Sequence, residues 1–148
     1  MGIGDDAALI HVHSQASLSH DMLVEGVDFL RQAPYSDFYI GWRSVAVNVS
    51  DIYAMGHKPK YITLALGVPK NTFVVDMKAF FKGVIKACND FELNLVGGDL
   101  SSADKWLISI AIYGSGKQAI LRSTARVGDS VWCAGPLGYS ALGLQAIL

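Results

Sequence analysis

Residues 46–56, Ala46-Val47-Asn48-Val49-Ser50-Asp51-Ile52-Tyr53-Ala54-Met55-Gly56, are the stretch on which the reading of the fold turns. With the residues before them they place Trp42, Val45, Ala46, Val49, Ile52 and Tyr53 at the spacing of one helical face. A helix is therefore expected over Gly41–Met55. Pro34-Tyr35-Ser36-Asp37 reads as the loop ahead of it, with Ser36 or Asp37 as N-cap, and Gly56 suits the C-terminal cap. Asp51 then falls deep in a helix whose surroundings look buried. A buried carboxylate without a partner is costly, so a donor or a cation is expected beside it.

Outward from this helix, Ile3–Val12 and Ala16–Val24 read as strands on the N-terminal side. On the other side, Tyr61–Val68 is a short apolar run closed by Pro69, the signature of a buried strand. A second amphipathic helix follows, with Val74, Met77, Phe81, Val84, Ile85 and Cys88 on one stripe and Lys78, Lys82 and Lys86 opposite. Leu93–Val96 and Leu107–Tyr113 are further strands, the first running into Gly97-Gly98-Asp99. Gly128–Ala134 resembles a new strand, and a helix begins at Tyr139 and continues toward Leu148. Two helices amid five or six strands, several adjacent in sequence, predict an α+β fold with a mixed sheet.

Composition narrows the function classes. The 148 residues are 51% apolar and 17% charged, the balance of a globular core rather than a disordered segment. Twelve basic residues face thirteen acidic ones, so no overall charge draws the chain to nucleic acid or to an anionic membrane. No stretch is long and apolar enough to span a bilayer, and a cytoplasmic location is expected. Cys88 and Cys133 each sit in an apolar run without ligand-like spacing, which reads as two reduced core thiols.

The acidic residues are more telling by position than by number. Gly4-Asp5-Asp6, Ser19-His20-Asp21, Asn48-Val49-Ser50-Asp51 and Gly97-Gly98-Asp99 each put a carboxylate where an element meets a turn. Any one of them reads equally well as a turn or capping residue. Together, four carboxylate motifs need a shared cation, and Mg²⁺ takes oxygen ligands that it divides between one or two carboxylates and substrate phosphates. Other motifs fail. Gly114-Ser115-Gly116-Lys117 lacks the upstream glycine of a phosphate-binding loop, and His11 and His13 have no identifiable third ligand and read as a surface pair.

Five stretches in this order resemble thiamine-monophosphate kinase, of the PurM-like superfamily of ATP-dependent enzymes. They are Gly2–Ala8, Asp21–Phe29, Ala46–Gly56, Leu95–Asp99 and Arg122–Asp129. Gly-Gly-Asp alone is a weak sign, whereas Leu23-Val24-Glu25-Gly26-Val27 followed by Ala46-Val47-Asn48-Val49-Ser50-Asp51 is far more specific. The resemblance implies transfer of the γ-phosphoryl of ATP to thiamine monophosphate with several Mg²⁺ ions. It implies Asp6, Ser19, His20, Asp21, Asp51 and Asp99 as metal ligands and Gly98 and Asp99 beside the ATP phosphates. Arg122 is implied to pair with phosphate, Asp28 to border thiamine monophosphate, and Asp51, Asp99 and Arg122 to carry catalysis. Position 20 is His where the family usually offers a small hydroxyl, so only its backbone carbonyl suits Mg²⁺. Position 28 is Asp where many relatives have His, and Leu100-Ser101 stands where two threonines are usual.

The family's organisation sets further expectations. Residues 1–122 correspond to an ATP- and Mg-binding domain whose sheet, packed against two helices, pairs with a twin across a two-fold axis. Residues 123–148 correspond to the start of a second domain, and a chain without the rest of it is expected to be inert alone. Two other readings remain: another PurM-like enzyme, making aminoimidazole ribonucleotide, selenophosphate or the hydrogenase maturation cofactor, and a non-catalytic dimerisation or metal-storage module.

Overall fold

A computed structural model describes residues 15–32 and 35–146. The elements run β1 (Gln15–Val24), α1 (Asp37–Ala54), β2 (Lys58–Val68), α2 (Val74–Asp90), β3 (Asn94–Ser102) and β4 (Leu107–Gly116). A 3₁₀ turn at Arg122–Thr124 and a short α3 at Tyr139–Gln145 follow. The expected strand over Ile3–Val12, with His11 and His13, lies outside the described residues.

The four strands form one mixed sheet in the order β1-β4-β2-β3. β4 pairs antiparallel with both β1 and β2, while β2 and β3 are parallel. A parallel pair needs a crossover rather than a tight turn, and α2 supplies it. The fold is thus α+β with a mixed sheet, as the sequence predicted.

Both long helices cover one face of this sheet. On that face Ile62, Leu64 and Leu66 of β2 and Ile108, Ile110 and Ile112 of β4 are buried, in the alternation a half-covered strand requires. Val45, Val49 and Ile52 of α1 and Phe80, Val84 and Ala87 of α2 close over them, with Trp106 fully buried at one end. The helices approach through glycine. A Cβ at Gly83 would lie 2.8 Å from the Phe38 carbonyl carbon and 2.9 Å from the Trp42 nitrogen, and one at Gly41 would press on the Phe80 carbonyl. The opposite face has no helix over it among the described residues, and Leu18 and Met22 there are exposed.

Ser36 is the N-cap, as expected: its hydroxyl accepts the Tyr39 N–H at 3.5 Å, so α1 starts at Asp37. Two expectations are corrected. Cys133 is exposed rather than a core thiol, and of the two cysteines it is Cys88 that is buried. Gly128–Ala134 is not a strand: Val131 and Trp132 are 99% and 89% exposed, and no described strand runs beside them to take up their backbone groups.

Candidate functional site

Side chains of β1 alternate between the helix-covered face and the open one. Ser17, Ser19, Asp21 and Leu23 point toward the helices, and Leu18, His20 and Met22 away from them. α1 lies against β1, and two ties join them. The Ser19 hydroxyl donates to Asp51 Oδ2 at 2.5 Å. The Asp21 backbone N–H donates to Asn48 Oδ1 at 3.1 Å. Asn48 and Asp51 are three apart on the helix and Ser19 and Asp21 two apart on the strand, so the ties form rungs of one ladder. The sheet thereby gathers Ser19, Asp21 and Asp51 into one constellation.

Asp51 itself departs from expectation. It is exposed, although Val49 and Ile52 beside it are almost fully buried. The helix turns its carboxylate outward along the β1 edge, so no desolvation cost demands a partner there. The Ser19 hydroxyl and the Asp21 and Asp51 carboxylates are hard oxygen donors of the type Mg²⁺ accepts, and with two carboxylates they leave positions for water and phosphate oxygens. Among the described residues no group of three or more His, Cys, Asp or Glu side chains stands in metal-binding proximity. Two carboxylates and a hydroxyl are the donors that Mg²⁺ takes when it is shared with a phosphate.

The remaining predicted residues lie elsewhere. His20 points to the open face, where its Nε2 is 2.6 Å from Ser109 Oγ. Asp99 is on that same face: it pairs with Ala65, which pairs with Ser109, which pairs with Met22. Three strand spacings, about 14 Å, separate Asp99 from β1. Gly98 is exposed, but a Cβ there would run into the Leu64 carbonyl of β2, which gives that glycine a packing role of its own. Arg122 opens the 3₁₀ turn, exposed. Asp6 lies outside the described residues.

Asp28 belongs to the loop after β1. Its Oδ2 accepts the Val24 N–H at 2.8 Å and its carbonyl accepts from Arg43 at 2.9 Å. The loop is held by Glu25, whose N–H bonds the Trp106 carbonyl while its carboxylate takes the Trp106 N–H, both at 3.0 Å. Arg31 ties it further, with Nε and Nη2 on the Asp37 carboxylate at 2.8 and 3.0 Å and Nη2 on Asp76 at 3.1 Å. Its guanidinium lies 4.3 Å from the Trp106 ring centroid. The hydrogen bond to Asp37, opposed by burial and reinforced by Asp76, raises the Arg31 pKa further above its already high ordinary value. Beside this loop opens a cavity of about 420 Å³ lined by Glu25, Gly26, Leu30, Arg31, Pro69 and Lys105, among others.

Sequence reasoning missed Asn48 as a tie, Arg31 as a clamp and His57, which is buried with Nδ1 2.8 Å from Ser17 Oγ. A polar residue on the apolar stripe of α1 was the available signal for Asn48. Nothing in the sequence marked Arg31 or His57, whose partners are distant in the chain.

Comparison with known proteins now places the chain. The AIR synthase related protein N-terminal domain matches residues 4–116. The chain belongs to that family. Within it, the chain is 44% identical to the thiamine-monophosphate kinase of Buchnera aphidicola (Schizaphis graminum), over 99% of this chain and 45% of that protein. The crystal structure of thiamine-monophosphate kinase from Stenotrophomonas maltophilia K279a superposes with a TM-score of 0.88 at 36% identity, covering 99% of this chain and 46% of that one. AaThiL complexed with AMPPCP and TMP gives a TM-score of 0.87 at 36% identity, covering 94% and 44%. The chain spans about half the length of the curated relatives it matches.

Proposed function

We propose that this chain is the Mg–ATP-binding part of a thiamine-monophosphate kinase, which passes the γ-phosphoryl of ATP to thiamine monophosphate and yields thiamine diphosphate and ADP. The observation that carries the reading is the convergence of Ser19, Asp21 and Asp51 between β1 and α1 in a chain 44% identical to such a kinase. A solved relative is a complex with AMPPCP and TMP, which supports the same pair of ligands here.

Ser19, Asp21 and Asp51 would hold one Mg²⁺, and Asp6, Asp99 and the backbone carbonyl of His20 would serve the further Mg²⁺ ions that such a kinase uses, Asp99 being three strands away from β1. Bound there, the cation would neutralise phosphate charge and orient it for in-line transfer. Gly98 and Asp99 would lie beside the ATP phosphates, and Arg122, exposed and planar, would pair with phosphate. Asp28, on the loop clamped by Arg31, borders the acceptor. Asp51, Asp99 and Arg122 carry the catalytic assignment.

Residues 1–122 form the nucleotide-binding domain and 123–148 open a second one. The exposure of Val127, Val131, Trp132 and Leu137 supports that boundary, since apolar residues with no core of their own need a further surface. The uncovered sheet face, with Leu18, Met22 and the stacked Tyr61 and Tyr113 rings on it, supports a homodimer in which two such sheets meet. No helix among the described residues is long and apolar enough to cross a membrane; a cytoplasmic location belongs to the proposal and is supported by the use of ATP.

Asp51→Asn tests the assignment. It keeps size and hydrogen bonding and removes charge from an exposed position, so Mg–ATP binding is expected to weaken with the melting temperature nearly unchanged. Unchanged affinity with a sharp fall in melting temperature would make Asp51 structural.

A further inference from the structure

Asn48 is 1% exposed, in the apolar interior of α1 between Val45 and Val49, which are 0% and 1% exposed. A buried amide is tolerated there only if both ends are paired. Both are: Oδ1 accepts the Asp21 N–H at 3.1 Å, and Nδ2 donates to the Ser44 carbonyl at 2.9 Å. An apolar residue would fill the same space with no polar group to satisfy, so the amide is explained by what it holds. It holds β1, at Asp21.

β1 is an edge strand, paired only with β4 within the described sheet. Besides its pairing with β4 along its whole length, two polar rungs join it to α1, and these differ in kind. The Ser19–Asp51 rung joins two groups that would themselves bind a cation, so that bond is exchanged when the cation arrives. The Asn48–Asp21 rung joins a neutral amide to a backbone N–H, and it persists whether or not a cation is bound. Of the two rungs it is the one that can hold β1 at Asp21 while the Asp21 and Asp51 carboxylates, which repel each other until a cation is shared, are without one.

We propose that Asn48 is a positioning residue for the candidate cation site, pinning the β1 backbone at Asp21 against α1 so that the Asp21 and Asp51 carboxylates stay within reach of one ion. This rests on the reading of Ser19, Asp21 and Asp51 as cation ligands. Asn48 touches no ion; it acts through Asp21.

The test uses Mn²⁺ as a paramagnetic stand-in for Mg²⁺, titrated into the full 148-residue chain with a non-hydrolysable ATP analogue present and read by electron paramagnetic resonance, with amide hydrogen exchange at Asp21 followed in parallel. Asn48→Leu, close in size and free of polar atoms, is expected to lower Mn²⁺ affinity about tenfold or more, the scale at which supporting partners of metal ligands act. It should also deprotect the Asp21 amide while unfolding stays cooperative. If that variant fails to fold, Asn48→Ser, too short to reach Asp21, takes its place with the same expectations. Asp51→Asn is the contrast: Mn²⁺ affinity falls and Asp21 stays protected. Unchanged Mn²⁺ affinity in a folded Asn48 variant would overturn the proposal. Absence of Mn²⁺ binding in the wild-type chain with Asp21 protected would instead sink the cation-site reading itself, and the role given to Asn48 with it.

Discussion

Gly83→Ala should destabilise the protein even though alanine is the better helix former. In the middle of α2 the exchange gains about 1 kcal/mol of helix propensity. The new methyl would meet α1 at once, 2.8 Å from the Phe38 carbonyl carbon, 2.9 Å from the Trp42 nitrogen and closer still to the Phe38 oxygen. Ordinary contact begins near 3.4 Å, and the obstacle is helix backbone rather than a side chain that can swing away. The helices must therefore part by roughly an ångström, loosening contacts around Phe80 and Val45. Overpacking of this kind costs about 1–3 kcal/mol, occasionally more. With backbone as the obstacle we take the upper end, which leaves a net loss of about 2 kcal/mol after the propensity gain. A urea melt read by circular dichroism measures it, and the thermal midpoint should fall by about 8 °C. Gly143→Ala in α3 is the control, since nothing lies within 4 Å of its added Cβ. A Gly83→Ala protein as stable as wild type, or more so, would refute the close helix crossing. It would also loosen the placement of α1, on which Asn48 and Asp51 depend.

Gly98→Ala should be severe and Gly97→Ala mild, because a Cβ at 98 meets the Leu64 backbone whereas at 97 its nearest neighbour is the Thr63 methyl at 3.8 Å; paired chemical melts should separate them by about 1 kcal/mol or more. Arg31→Ala removes the links to Asp37 and Asp76 and the contact with Trp106, and should cost about 1–2 kcal/mol, part of it lost in high salt. Burial pushes the Cys88 thiol up to about 11, so at pH 8 a thiol reagent should modify exposed Cys133 quickly and Cys88 only at the rate of unfolding. Because the fold favours the neutral thiol, the stability Cys88 contributes is complete below its unfolded pKa and drains away as pH rises toward about 11; a flat stability profile from pH 8 to 11 would contradict its burial.

The fold was legible because periodicity survives in the sequence wherever one face of an element is buried. Val45, Val49 and Ile52 announced α1, and the apolar run at 61–68 announced β2. The same signal misled at Gly128–Ala134, where apolar residues alternate but no partner strand receives them. Of the proposed site residues, Ser19 and Asp51 meet directly between β1 and α1, and the Asp21 backbone is tied to the same helix through Asn48. Sequence could not show that His20 and Asp99 fall on the opposite face, since that depends on strand order and on the register shift between Ile62 and Thr63. Nor could it foresee that Asp51 is exposed, because a helix that buries both neighbours in space can still turn one position outward. Arg31 was invisible for a simpler reason: one of its partners, Asp76, is 45 residues away.

Under the proposed function this chain would carry most of a Mg–ATP site, with an acceptor site for thiamine monophosphate beside it. Calorimetric titration with a non-hydrolysable ATP analogue, with and without Mg²⁺ and then with thiamine monophosphate, tests it most directly. Binding that requires Mg²⁺ and tightens with thiamine monophosphate is the predicted result. Nucleotide binding indifferent to both Mg²⁺ and thiamine monophosphate, or no binding by a chain whose folding is verified, would contradict it.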